Sequence, residues 1–280
     1  MSGAQASWLP DGQRLHLHHG PIDMIVGIEG AGREAAFQRA VARFGTLLEE
    51  LVAELPRLRS HVGGPVEGET ARRMIEAVRP FAAEFVTPMA AVAGAGAETI
   101  LAAILDGPGV RKAYVNNGGD VAFHIGPGEV MPAAIAGPVP RHVTVLHGNP
   151  VRGVATSGAG GRSHSLGIAD AVTVLARDAA TADAAATLIA NAVDLPGHST
   201  IVRVPACEVS PDSDLGARAV TREVGVLSDG DVTRALEAGR AYAAGLVARG
   251  VIHAACLSLR GQCVTVGETS MIEERDPEHA

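Results

Sequence analysis

Apolar positions along the first hundred residues change period several times, and each change predicts an element. Arg14 to Ile28 alternates and becomes β-branched in its second half, which predicts a strand pair or one bent strand around Gly20-Pro21. From Arg33 to Leu55 the apolar residues Phe37, Ala40, Val41, Phe44, Leu47, Leu48, Leu51 and Leu55 recur every three or four positions, the period of a long amphipathic helix ended by Pro56. Beyond a Gly/Pro-rich loop, Glu69 to Val78 predicts a second helix whose Arg72, Arg73 and nearby Arg79 form a solvated face. An Ala-rich helix then runs to Leu105, with Thr87 as its cap and Pro88 in its first turn. Gly94 and Gly96 each cost that helix about 1 kcal/mol relative to Ala, so another backbone or a ligand is expected against that turn.

From Arg111 to Leu175 the period shortens to strands parted by glycine turns, and this stretch should form the sheet: KAYVNN, DVAFHI, PAAIAG, HVTVLHG, RGVATSG and DAVTVLA. Thr181 to Val193 predicts a helix, Ser199 to Val209 a strand, and Asp231 to Arg249 another amphipathic helix. Val251 to Gly267 reads as a closing hairpin around Arg260-Gly261, and the last dozen residues, polar and acidic, are expected to fray. No tandem repeat and no long linker interrupts the chain, so residues 1–280 are expected to form one α/β domain of the α+β kind, with a mixed or antiparallel sheet flanked by helices.

Composition narrows this picture. Aromatic residues are 3% of the 280, so the core must be built from Ala, Val, Leu and Ile. The formal charge of −8 shows no clustered Lys and Arg and argues against nucleic acid as a partner. The opening residues lack a basic segment followed by an apolar run, and no uninterrupted apolar stretch approaches about 18 residues, so a soluble, cytoplasmic protein without membrane association is expected. Cys207, Cys256 and Cys263 have no CxxC spacing and read as buried thiols.

Four places carry candidate chemistry. Asn116-Asn117-Gly118-Gly119-Asp120 lies between two strands, where paired glycines either let backbone N–H groups converge on an anion or simply make a hairpin turn. Thr156-Ser157-Gly158 runs into a loop carrying Arg162 and His164, which offers hydroxyls, a cation and an imidazole to a phosphate, or is an ordinary surface loop. Asp183 and Thr187, four apart on the Ala-rich helix, present two oxygens suited to a hard cation such as Mg2+; alternatively Asp183 only favours the dipole in the first turn after a Thr181 cap. His16 and His18 share a strand face beside His19, a set that reads as surface strand in preference to a transition-metal site.

Taken in order, VNNGGDV, VATSG and DAVTVLARDAATADAAAT resemble the ApbE superfamily, and TPMAAVAGAGAE, SHSLGIADAVTVLA and DSDLGARAVTREVGVL narrow the resemblance to its UPF0280 branch over nearly the whole chain. The resemblance implies a two-lobed fold with FAD between the lobes and Mg2+ on its diphosphate. It also implies transfer of FMN to a threonine of an acceptor protein with release of AMP. Carried over by position, Asp183, Thr187 and the carbonyl of Ala93 resemble the metal ligands. Asn117, Gly118, Gly119 and Asp120 resemble the flavin-binding turn, Thr156, Ser157, Gly158 and Arg162 the second contact loop, and His164 the histidine beside the reacting phosphate. Glu98 falls where an acid follows the family's Lys-Gly pair. Two departures stand out: Ala93 replaces the lysine of that pair, and Ser-Leu-Gly-Ile-Ala-Asp replaces the longer loop after the histidine. The expected activities are therefore FMN transfer or FAD hydrolysis, with a non-catalytic flavin carrier, or a biosynthetic enzyme for another cofactor precursor, as alternatives. A homodimer is expected from the small residues between Ala90 and Leu105.

Overall fold

The computed structural model describes residues 3–61, 64–137, 141–159, 165–268 and 272–274. The chain divides into two compact units, Met1–Met131 with Val145–Ala155 and Ala176–Ala184, and Pro132–Thr144 with Thr156–Leu175 and Ala185–Ala280.

In the first unit, β1 (Gln5–Trp8), β2 (Arg14–His19), β3 (Ile22–Glu29), β4 (Lys112–Asn117) and β5 (Asp120–Ile125) form consecutive antiparallel pairs. Residues Gly153 and Val154 of β8 (Gly153–Ser157) then pair with β5. The break at Gly20 makes two strands of the first predicted segment, and β1 is a strand that its four exposed residues, with no apolar alternation, did not announce. Helix α1 (Arg33–Ala53) buries Ala36, Phe37, Ala40, Phe44, Leu47 and Leu51, roughly 2 kcal/mol for each large side chain. Val41 belongs to the predicted stripe but lies outside it, exposed. Pro56 does not end α1. The helix stops at Ala53, and Pro56, whose missing N–H is harmless in a first turn, opens the short α2 (Leu55–Leu58). The Glu54 carboxylate between them accepts from the N–H groups of Glu67 and Gly68, at 2.9 and 2.7 Å, and so fixes the entry to α3 (Glu69–Val78).

Thr87 makes no side-chain cap; a 3-10 turn over Pro88–Ala91 precedes α4 (Val92–Leu105). The segment Pro88–Leu105 is long and apolar enough by composition to cross a membrane. It packs against α1, α3, β4 and β5, with Gly94, Ala95, Gly96, Ala97 and Ile100 buried, as the central helix of this unit. Its small faces, the motive for expecting a dimer, are thus occupied within the chain.

In the second unit β9 (Ala171–Ala176) pairs antiparallel with β12 (Ala254–Leu259), and β12 with β13 (Gln262–Gly267). Arg260 and Gly261 turn this last hairpin with φ of 49° and 80°, the left-handed pair that a two-residue turn requires. A three-stranded sheet has the order β14 (Ile272–Glu274), β7 (Arg141–Leu146), β6 (Val130–Ile135). Residues 272–274 of the tail expected to fray are therefore a strand, because β7 offers an edge on which to pair. The strand expected over residues 199–209 is shorter. It stops as β10 (Ile201–Pro205), paired with β11 (Ala219–Val224), and Pro205 starts a helical turn, α6 (Ala206–Val209). Helix α7 (Asp229–Ala248) is capped reciprocally by Ser228 and Asp231 and lies on β12 and β13, where Gly239 leaves room for Val193 and Leu257.

Candidate functional site

Helix α5 (Ala179–Ala192) begins two residues before its expected start. Its cap is Asp178, whose side chain accepts from the Thr181 N–H at 2.7 Å, and not Thr181. Asp183 therefore lies in the second turn, where the dipole does little to explain a carboxylate. A different geometry explains it. Asp183 Oδ2 accepts from the Ala93 and Gly94 N–H groups, at 3.1 and 3.0 Å, in the first turn of α4. Reciprocally, Glu98 on α4 accepts from the Ala180 N–H, at 2.8 Å, in the first turn of α5. Each helix thus caps the other. The approach depends on Gly94, because a Cβ there would fall on the Ala179 carbonyl oxygen. The backbone predicted to lie against the Gly94 turn is that of Ala179.

Arg73 completes the Glu98 side of this joint. It donates to Glu98 Oε2 at 3.2 Å and to Glu69 at 2.8 Å, with one third of its side chain exposed, so it is not part of a fully solvated face. Burial first, and Asp178 next among the charges, raise the Glu98 carboxyl above its ordinary value against the pull of Ala180 and Arg73.

The β4–β5 hairpin supplies the other wall. Asn117 and Asp120 are register partners, and Gly118 and Gly119, with φ of 67° and 115°, make the two-residue turn between them. Asn116 Oδ1 accepts from the Gly119 N–H at 2.8 Å, while the glycines themselves are exposed and open space lies where a Gly119 Cβ would stand. Asn117 is buried and donates from Nδ2 to the Ala93 carbonyl at 3.0 Å. Asp120, also buried, lies close enough to Asp183 for the two charges to repel. Burial and the Asp120 charge hold the Asp183 carboxyl well above 3.8, against the Gly94 and Ala93 N–H groups that pull it down.

Two carboxylates, those of Asp183 and Asp120, come together here, while the Ala93 carbonyl accepts from Asn117 Nδ2. Such a set fits a hard divalent cation, whose charge would relieve both the repulsion and the burial. Among the described residues no three His, Cys, Asp or Glu side chains converge as a closed metal cage.

A pH dependence follows. The folded chain holds the Asp183 proton more tightly than the unfolded chain, so this contribution to stability is complete below pH 3.8 and is lost as pH rises through the raised folded value. Thermal melts from about pH 4 to 8 should therefore show the metal-free wild type losing stability relative to Asp183→Asn as pH rises. A difference that is constant with pH would contradict the buried, repelled carboxylate.

Thr187 is half-buried one turn beyond Asp183 along α5. In the second unit, the Thr156 hydroxyl lies 2.9 Å from that of Thr173, which in turn accepts from the Ala136 N–H. Ser157 ends β8, and Gly158 passes so close to the Asp170 carbonyl that a side chain there would collide with it. Arg162 and His164 lie outside the described residues. Glu98 is engaged with the Ala180 N–H and Arg73, as above. His16 and His18 do share a strand face, with ring centroids 6.2 Å apart, and His16 meets Asp23 at 3.1 Å. His19 is not a surface residue; it is buried against Phe44. The reciprocal caps, the Asn117 bond to the Ala93 carbonyl and the nearness of Asp120 to Asp183 have no local sequence signal, because each joins residues tens of positions apart.

The family model described as AbpE bacteria matches residues 6–265, and the chain belongs to that family. Its relatives include the UPF0280 proteins of Methanopyrus kandleri, 43% identical over 143 residues, and Archaeoglobus fulgidus, 38% identical over 141. These alignments cover 50% and 46% of this chain and 54% of each relative, so the chain spans about half the length of the curated relatives it matches. Among solved structures, the apo flavinyl transferase ApbE of Pseudomonas stutzeri has a TM-score of 0.54 at 13% identity, covering 97% of this chain and 98% of that one. The apbe protein of Thermotoga maritima has a TM-score of 0.52 at 14% identity, covering 97% and 100%. The fold is that of the ApbE proteins, as the ordered sequence motifs implied.

Proposed function

We propose that this protein binds FAD, or a related nucleotide with a diphosphate, through Mg2+ held at Asp183, and that it acts on the phosphoanhydride by transferring FMN or releasing it to water. This reading is supported by Asp183, which the Ala93 and Gly94 N–H groups hold at the start of α4 while burial and the Asp120 charge both disfavour its ionised form. Asp183, Thr187 and the Ala93 carbonyl would hold the cation, and Asn117 aims the carbonyl. The cation would supply polarisation of a phosphoryl oxygen. The exposed Gly118–Gly119 turn leaves space beside Asp120 for a planar ring or a phosphate. His164, carried over from the ApbE resemblance, is the proton-moving group of this reading.

A second reading, a non-catalytic flavin carrier, is favoured by Ala93 itself. The family's lysine is replaced, and none of Asp183, Asp120, Asn117 and Ala93 brings a positive charge to a leaving phosphate. Incubation with FAD and Mg2+, followed by chromatography of the small molecules, separates the two. FMN and AMP accumulating with time support the enzyme, whereas FAD recovered intact and stoichiometric supports the carrier. Failure to retain FAD at all would remove both.

Thr187→Val should lower Mg2+-dependent FAD affinity about 10-fold, because it removes a neutral oxygen and leaves the carboxylate. The helix should be unaffected, so an unchanged affinity in a titration would take Thr187 out of the ligand set.

A further inference from the structure

The Cys256 and Cys263 sulfurs lie 3.1 Å apart across the β12–β13 hairpin, and neither belongs to the site proposed above. In register, Cys256 is opposite Thr265 and Cys263 is opposite Ser258, so the two cysteines are diagonal neighbours on one sheet face. Cys256 is buried and Cys263 partly exposed, which leaves one sulfur reachable from solvent and one behind it. The hairpin fixes both strands through six register pairs and a two-residue turn, which holds the sulfurs in contact.

The same face continues across the unit. Cys256 is also the register partner of Thr173 on β9, and the Thr173 hydroxyl meets that of Thr156 on β8. The opposite face, with Leu257, is the one packed by α7 at Gly239. The thiols thus lie on the face opposite the one α7 packs at Gly239, in register with Thr173, Ser258 and Thr265, with Cys256 itself buried.

We propose that Cys256 and Cys263 are a redox pair that closes to a disulfide with a hydroperoxide as oxidant. The accessible Cys263 thiolate attacks one peroxide oxygen; the O–O bond breaks, hydroxide leaves and takes up a proton as water, and sulfur is oxidised to a sulfenic acid. The Cys256 sulfur then attacks that sulfur, the S–S bond forms, the S–O bond breaks, and a second water leaves with the Cys256 proton. Two thiols and one hydrogen peroxide give one disulfide and two waters. A dithiol reductant reverses the change. Cys207, exposed on α6 and distant in sequence, serves as an internal control.

The test is to treat the full chain with stoichiometric hydrogen peroxide, quench, denature and label with a maleimide. Intact mass should fall by about 2 Da before labelling, and one label, on Cys207, should be incorporated in place of three after dithiothreitol. Cys256→Ser should abolish the mass loss and leave Cys263 to gain oxygen, which shows that the partner resolves the sulfenic acid. Three labels after peroxide, or Cys263 taken to sulfinic acid while wild-type Cys256 still labels, would overturn the proposal.

Discussion

Asp183→Asn should leave the fold intact, raise the metal-free melting temperature, and weaken Mg2+-dependent nucleotide binding by at least about 100-fold. The asparagine carbonyl can still accept from the Ala93 and Gly94 N–H groups, so the joint between α4 and α5 survives. What disappears is a charge that burial and Asp120 both disfavour, and this is why the metal-free protein gains. The same charge attracts the cation, and this is why binding is lost. A carboxylate serving only as a cap for α4 predicts the first effect without the second. Calorimetric titration and thermal melts of one protein preparation read both. An Asp183→Asn variant that binds FAD and Mg2+ normally would reduce Asp183 to a structural residue.

Gly94→Ala should destabilise the first unit, and two opposed effects decide its size. Helix propensity favours Ala by about 1 kcal/mol. Against this, the new Cβ meets the Ala179 carbonyl oxygen, a backbone atom that cannot swing aside. Overpacking of this kind costs about 1 to 3 kcal/mol, and prising α4 from α5 also strains the reciprocal bonds of Asp183 and Glu98, each worth about 1.5 to 3 kcal/mol. The clash wins. We expect a net loss of about 3 kcal/mol and a melting temperature lower by on the order of 10 °C. Gly96→Ala is the control: its Cβ would meet the ends of the Met24 and Asn117 side chains at 3.3 and 3.4 Å, which can give, so the net change should stay within about 1 kcal/mol. Equal melting temperatures for the two variants would contradict the close approach.

The two glycines also show how far the sequence carries. Their cost within a helix signalled that something lies close, but only the fold shows that Gly94 faces a carbonyl and Gly96 faces flexible side chains. The strands from Lys112 to Ala176 were legible because period-2 patterning and glycine turns are local. Where a boundary depends on a tertiary acceptor the local signal misleads: Thr181 resembles a cap, yet Asp178 performs that role and moves Asp183 into the second turn. Strand β14, Ile-Glu-Glu, was invisible because it is pairing with the edge of β7 that makes those residues extended. The Asp183–Asp120 pair is of the same kind. Each residue was noticed alone, in a helix motif and a turn motif, and only the packing of α4 brings Asp183 to the Ala93 turn with Asp120 near it.

In the function proposed above, a cation links this cluster to a nucleotide diphosphate. The most direct test of that link is calorimetric titration of the wild-type chain with FAD, once with excess Mg2+ and once with a chelator. Stoichiometric binding with Mg2+ and a loss of affinity of at least about 100-fold without it are expected. Binding of equal strength in both titrations, or none in either, would contradict the link.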